Sequence, residues 1–302
     1  MKFFVSDPPH VISPVTTRRL MLNVVLALVP AAAMGVYNFG LPALWVLLVS
    51  SATAVLTELI WQLCARKPIR VDDFSALVTG LLLGLTLPPS APLWMAGAGS
   101  AFAILVVKQF FGGLGCNFMN PALTARAMLL ISWPALMSGF VAPGADAVSS
   151  ATPLYQTFDW MDLFLGNIPG SIGEISKLML LAGLVWLLAT STISIRIPLS
   201  MVVGAILTGW IVGANPWMEI MSGGLLFAAV FMATDYVTSP RPGPGQWLYG
   251  LGCGVLTILI RHFGAYSEGV TFAVLTMNAF TPLIDHATCP RVYGHGRRER
   301  HA

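Results

Sequence analysis

The chain has 302 residues, 56% of them hydrophobic and only 10% charged, with a mean hydropathy of +0.77 and a formal net charge of +3. A soluble domain of this length needs far more charge to cover its surface, so the composition excludes an ordinary soluble globular protein. The small net charge, with no basic stripe interleaved with aromatics, excludes nucleic acid as a partner.

The first twenty residues, Met1 to Leu20, lack the apolar core and small-residue cleavage site of a signal peptide, so the first helix is expected to be retained. Apolar runs then predict membrane helices at 21–40, 41–63, 74–88, 92–111 and 121–139. After a long polar interruption, further runs predict helices at 177–194, 198–213, 222–238, 245–261 and 268–284. Inside a bilayer every backbone polar group needs an internal partner, which favours helices over isolated strands. The expected fold is an all-α polytopic membrane protein with about ten transmembrane helices in a single domain, 1–302.

The basic residues set the expected orientation. With the N-terminus in the cytoplasm, Lys2, Arg18, Arg19, Arg66, Lys67, Arg70, Lys108, Arg196, Arg241, Arg291, Arg297, Arg298 and Arg300 fall on the inner side. Lys177 and Arg261 fall outside, and Arg126 lies within a helix. The outer loops hold acids instead: Asp146, Asp159, Asp162, Glu174, Glu219 and Glu268. Both termini are then cytoplasmic.

The two halves also match in the order and spacing of their breaks. Gly80–Gly84, a Pro break, a helix ending Lys108-Gln109-Phe110-Phe111-Gly112 and then Asn120 in the first half correspond to Gly224–Ala228, a Pro break, Arg261-His262-Phe263-Gly264 and Asn278. Five helices per half is an odd number, so the pattern predicts two inverted five-helix repeats, 20–140 and 177–286. They are joined by an extracytoplasmic loop, 141–176, and followed by a basic cytoplasmic tail, 287–302, which can touch anionic lipid headgroups. Such repeats place binding sites at their interface.

Several residues stand out as candidates for chemistry. Glu58 lies well inside the second helix, Asp235 near the end of the eighth and Asp285 at the end of the tenth. Carboxylates at membrane depth are costly and face a partner, a cavity or an ion path, which makes the three candidates for coupling H⁺ or Na⁺ movement. Interfacial capping, or pairing with Arg241 or Arg291, is the other reading for Asp235 and Asp285, whereas Glu58 has no base nearby in sequence. Arg126 is placed to snorkel or to neutralise one of these acids. The stretch 112–121 reads as a glycine-rich break followed by a helix started by Pro121 and capped by Asn120. Open N–H groups at that end could hold a polar ligand. Cys64, Cys116, Cys253 and Cys289 have no ligand spacing and read as packing residues, and no metal site is expected. His262 and His286 read as interfacial residues.

The loop Asp146-Ala147-Val148-Ser149-Ser150-Ala151-Thr152 carries the pattern D-x-x-S-[G/S]-A-T. It resembles the flavin-attachment sequence of a family of membrane subunits, the D subunit of the Rnf complex and the B subunit of the sodium-pumping NADH:quinone oxidoreductase. Phe111-Gly112-Gly113-Leu114-Gly115-Cys116-Asn117-Phe118-Met119-Asn120-Pro121-Ala122 is similar to that family's F-G-G-x-G-x-N-x-F-N-P-A stretch, with Met119 in place of Phe. Met232-Ala233-Thr234-Asp235, Tyr266–Val270 and Asn278–Asp285 are similarly placed and spelled, so the likeness covers nearly the whole chain. Ser150 stands where glycine is usual, and Ser267 where proline is frequent. The short N-terminus fits the Rnf protein better than its cousin.

The resemblance implies FMN joined through a phosphoester to Thr152 by a dedicated flavin transferase. It also implies a noncovalent riboflavin near Asn117 and Asn120, although both amides can equally be caps. The implied role is a membrane electron-transfer subunit of an ion-translocating ferredoxin:NAD⁺ oxidoreductase complex in the bacterial inner membrane. That subunit would not be catalytically complete alone and would work beside flavin and iron–sulfur subunits. A passive channel or secondary transporter for a small polar solute is the alternative, since one fold serves many functions.

Overall fold

The computed structural model describes residues 15–141, 149–150, 160–264 and 269–290. Helix α1 (Thr17–Phe39) starts where the Thr16 hydroxyl accepts a hydrogen bond from the Arg19 N–H, and it ends at Gly40. Pro42 in the first turn of α2 (Leu41–Cys64) suits a helix start, because those N–H groups lack intrahelical partners. At 23 and 24 residues, these two helices are long and apolar enough to cross a membrane by length and composition.

The helices that follow are shorter. α3 (Ser75–Leu85) has 11 residues, about 16 Å of rise, and stops before Pro88-Pro89. α4 (Leu93–Phe102) runs on as a π-helical segment, Ala103–Gln109. α5 (Pro121–Ser132) is followed by α6 (Pro134–Met137), where Pro134 breaks the expected 121–139 helix. Two-residue strands, β1 (Phe140–Val141) and β2 (Ser149–Ser150), pair antiparallel. Then come α7 (Trp160–Leu165), α8 (Lys177–Ala189), α9 (Arg196–Val212) and α10 (Pro216–Met221). α11 (Leu225–Phe227) continues as a second π-helical segment, Ala228–Met232, and α12 (Gly243–Phe263) and α13 (Val270–Thr288) are the last elements among the described residues. Each of the ten expected positions therefore holds a helix, while several are too short to cross about 30 Å of hydrocarbon unaided.

Small residues bring the helices together. A Cβ on Gly204 of α9 would lie 2.6 Å from the Leu251 carbonyl, and one on Gly254 of α12 would lie 2.8 Å from the Ala205 nitrogen. α9 and α12 therefore meet backbone to backbone, as glycine-lined membrane helices do. α2 packs on α3 and α4, α1 on α8, and α5 on α13.

The segment 141–176 is not wholly an outer loop. Its last part turns inward: the Ile172 and Gly173 N–H groups bond to the Leu87 and Leu85 carbonyls at 3.1 and 2.7 Å, and Ser171, Glu174 and Ser176 are buried. Carbonyls around the end of α3 need partners, and this segment supplies them. Glu174 is thus not a solvated outer acid. Lys108 and Lys177, expected at helix ends on the inner and outer sides, are buried in their helices, so the orientation argument rests on fewer cations. Of the four free cysteines only Cys253 is buried, and Cys64, Cys116 and Cys289 are exposed rather than packed inside.

Candidate functional site

A cleft opens where α1, α3 and α8, the Lys108 turn, the loop before α5 and the segment after the second π-helix converge. Val24, Val78, Leu82 and Phe231 give it apolar walls, and Ser75, Thr79, Lys108, Asn117, Thr234 and Asp235 give it polar groups. Asn117, Asn120 and Asp235, picked from the sequence, thus share one cavity.

Glu58 is 2% exposed and is not alone. Lys108, fifty residues away, donates to both of its carboxylate oxygens at 2.8 Å, and Gln109 Nε2 donates to Oε1 at 2.8 Å. Both residues close the π-helical segment Ala103–Gln109. Glu58 has no base nearby in sequence, as expected, and finds one in space fifty residues on. Lys108 also donates to Ser75 Oγ at 2.6 Å, and Ser75 Oγ donates to Asp73 at 2.6 Å.

Two further ion pairs lie among the described residues. Arg126 meets Glu174 at 3.3 Å, with both side chains 3% exposed, so this acid is none of the three candidates. Arg261 Nη1 meets Glu219 at 3.0 Å while His262 Nε2 lies 2.9 Å from the other Glu219 oxygen. This arrangement repeats that at Glu58: a carboxylate held by a cation and by the residue after it. Burial of such groups is tolerable only with this pairing. Lys177 is likewise buried and donates to the Glu174 and Gly223 carbonyls at 2.5 and 3.2 Å.

Asp235 accepts from Thr238 Oγ1 at 3.0 Å and faces the cleft. Asp285 accepts the backbone N–H of Arg241 at 3.2 Å, outside the cleft, so it ties α13 to the loop before α12. Asn120 is an N-cap: its Oδ1 accepts from the Ala122 and Leu123 N–H groups at 3.0 and 3.2 Å. Its Nδ2 donates to the Met232 carbonyl at 3.1 Å. The helix end expected to be open to a ligand is therefore occupied by the chain itself. Asn117 Nδ2 donates to the Met119 carbonyl at 3.1 Å, and no hydrogen bond from the described residues holds its Oδ1. The turn before α5 needs positive φ at Gly112, Gly113 and Gly115 (120°, 101° and 89°), conformations that glycine adopts without strain. Asn278 joins this junction: oriented so that its oxygen accepts from the Asn120 N–H at 3.2 Å, its nitrogen donates to Tyr249 Oη at 2.6 Å.

Apolar walls can meet the faces of a flavin ring and the Asn117 amide oxygen its polar edge, whereas the Lys108 ammonium is taken up by Glu58 and Ser75. Thr152 and the rest of the flavin-attachment pattern before it, Ser149 and Ser150 apart, lie outside the described residues. Lys108, Gln109, Glu174 and Glu219 were not singled out from the sequence as site residues. The signal for Lys108 was available, since it follows the apolar run Ile104–Val107 directly.

A helical membrane protein with buried carboxylates matched to cations, one of those cations lining a cleft, is the class that these features define. The chain belongs to the NQR2, RnfD, RnfE family, whose sequence profile matches residues 4–294. It is 44% identical over 301 residues to the D subunit of the Na⁺-translocating ferredoxin:NAD⁺ oxidoreductase complex of Acetobacterium woodii, covering 96% of this chain and 95% of that protein. It is 42% identical over 318 residues to the D subunit of the proton-translocating ferredoxin:NAD⁺ oxidoreductase complex of Clostridium ljungdahlii, covering 97% and 96%. A third relative, the D subunit of the ion-translocating oxidoreductase complex of Stutzerimonas stutzeri, is 42% identical over 328 residues, covering 93% of each.

Proposed function

We propose that the chain is the membrane electron-transfer subunit of an Rnf-type ion-translocating ferredoxin:NAD⁺ oxidoreductase complex, with FMN esterified to Thr152. The observation that carries this reading is end-to-end similarity to relatives named as the D subunits of such complexes. The placement follows: bacterial inner membrane, both termini and the basic tail cytoplasmic, and the Thr152 loop outside, where a flavin transferase can reach its hydroxyl. Flavin and iron–sulfur subunits of the complex and membrane lipid are its partners.

A bound flavin supplies the electron-accepting chemistry, and the protein supplies position and electrostatics. Riboflavin in the cleft would be held by Asn117 through its open Oδ1, with Asn120 contributing only the remaining N–H of its amide. Glu58 and Asp235 are the carboxylates proposed to couple electron flow to H⁺ or Na⁺ movement, and Asp285 serves packing. The two halves, 20–140 and 177–286, are proposed to be inverted repeats. The like arrangements at Glu58 and Glu219 support this, as does the meeting of the sequence-matched Asn120 and Asn278. Two packings of such halves, with relative stabilities shifted by flavin reduction, would alternate access to the buried acids.

The test is covalent flavin on the polypeptide. When the chain is co-expressed with a competent flavin transferase, the denatured band is expected to fluoresce, and Thr152→Ala to abolish the signal. A dark wild-type band would favour the channel or transporter reading instead.

A further inference from the structure

Lys108 sits among oxygen atoms in a way that an ordinary ion pair does not require. Its three ammonium protons meet three acceptors: Glu58 Oε1 and Oε2 at 2.8 Å each, and Ser75 Oγ at 2.6 Å. Gln109 Nε2, at 2.8 Å, and Gln62 Nε2, at 3.4 Å, brace Glu58 Oε1 from other directions. The carboxylate and hydroxyl therefore stay in place without the lysine. Hard oxygens gathered at this range are what an alkali cation needs in exchange for its water shell.

The other two ion pairs use guanidinium groups, which keep their charge permanently and hold a rigid fork. Arg261 is further fixed by the Glu219 carbonyl at 2.6 Å and the Ser222 carbonyl at 3.3 Å. Lysine is a point charge on a flexible stem. Lys108 and Ser75 both line the cleft, so there is open space beside the lysine, and Asp235 lines the same cleft as a second acceptor.

The geometry points to Lys108 as a tethered counter-ion: its ammonium occupies a monovalent-cation site built by Glu58 and Ser75, and a free cation takes the site when the lysine swings into the cleft. This inference rests on the reading of Glu58 as a coupling carboxylate and adds the residue that competes for its oxygens. The exchange replaces one positive charge by another, so the buried carboxylate is never left unpaired, the state that costs most.

Equilibrium binding of ²²Na⁺ to the purified complex in low-sodium buffer tests it. Lys108→Met is expected to bind Na⁺ about tenfold more tightly than wild type or better, equivalent to roughly 1.4 kcal/mol. The gain should vanish in Lys108→Met/Glu58→Gln. Lys108→Gln, which keeps a hydrogen bond but no charge, repeats the measurement if the methionine variant does not assemble. Binding by the single variants no tighter than by the double variant overturns the proposal. In wild type, saturating Na⁺ should raise labelling of Lys108 by a small amine-reactive reagent relative to choline, and unchanged labelling overturns it equally. The two readings fail separately. Normal ion pumping by Glu58→Gln, with the Na⁺ gain intact, removes only the coupling role; lost pumping with no Na⁺ gain removes only the tethered lysine.

Discussion

Replacing Asn120 separates a structural clasp from a ligand contact. Its side chain is 3% exposed and makes three bonds: two capping α5 and one to the Met232 carbonyl at the end of the second π-helix. Asn120→Ser keeps a capping acceptor but cannot reach across to Met232. The orphaned carbonyl then costs roughly 1–3 kcal/mol. Asn120→Ala loses the cap as well, a further cost of about 1 kcal/mol. The alanine variant is thus expected to lose about 2–4 kcal/mol in all, and the serine variant less. Unfolding of the detergent-solubilised chain by sodium dodecyl sulfate, followed by tryptophan fluorescence, gives the stability, and noncovalent flavin content is measured on the same samples. Flavin loss should track stability across the two variants. An alanine variant with an unchanged unfolding midpoint, but no riboflavin, would refute the clasp and make Asn120 a direct contact.

Other perturbations test other parts of the architecture. Arg126→Met removes the guanidinium from the buried Glu174 carboxylate and should cost roughly 3–5 kcal/mol in the same assay, whereas a surface-like response below about 1 kcal/mol would deny the burial of the pair. Gly254→Ala drives a methyl group into the α9 backbone and should cost about 1–3 kcal/mol, with a neutral result showing that α9 and α12 do not touch there. Glu58→Gln should leave covalent flavin fluorescence intact while reducing ion pumping by the assembled complex, and full pumping would reject its coupling role.

Local features of the fold were legible in the sequence. The division between 21–40 and 41–63 fell at the α1–α2 turn, and Asn120-Pro121 marked the start of α5, because caps and prolines act through their own backbone. Helix ends inside apolar runs were not legible. The run 222–238 reads as one segment, yet it follows directly on the end of α10 and holds a short helix and a π-turn, since hydropathy carries no mark of a changed hydrogen-bond register. Charge partners were hidden for another reason. Glu58 and Lys108 are fifty residues apart, and only the packing of α4 and its π-helical extension on α2 brings them together. Glu174 lies among Gly, Pro and Ser residues that read as a surface loop, but the carbonyls around the end of α3 draw that segment inside.

The choice of coupling ion turns on few atoms. Two relatives, named as sodium- and proton-translocating, are 44% and 42% identical to this chain across nearly its whole length, so overall similarity does not separate the two ions. A proton needs only a carboxylate that can become neutral, whereas Na⁺ needs several oxygens at fixed positions. The neutral oxygen that shares Lys108 with Glu58 is Ser75 Oγ, and the two neighbouring glutamines present their nitrogens to the carboxylate. Turning the Gln109 amide over would add a second neutral oxygen beside Glu58 once Lys108 has left, whereas the Gln62 oxygen is engaged by the Arg70 N–H at 2.9 Å. Sodium use would therefore depend on the freedom of Gln109 to rotate, and Gln109→Leu should weaken Na⁺ binding in the Lys108→Met background while leaving protonation of Glu58 possible. Undiminished Na⁺ binding in that double variant would place the choice of ion elsewhere in the complex.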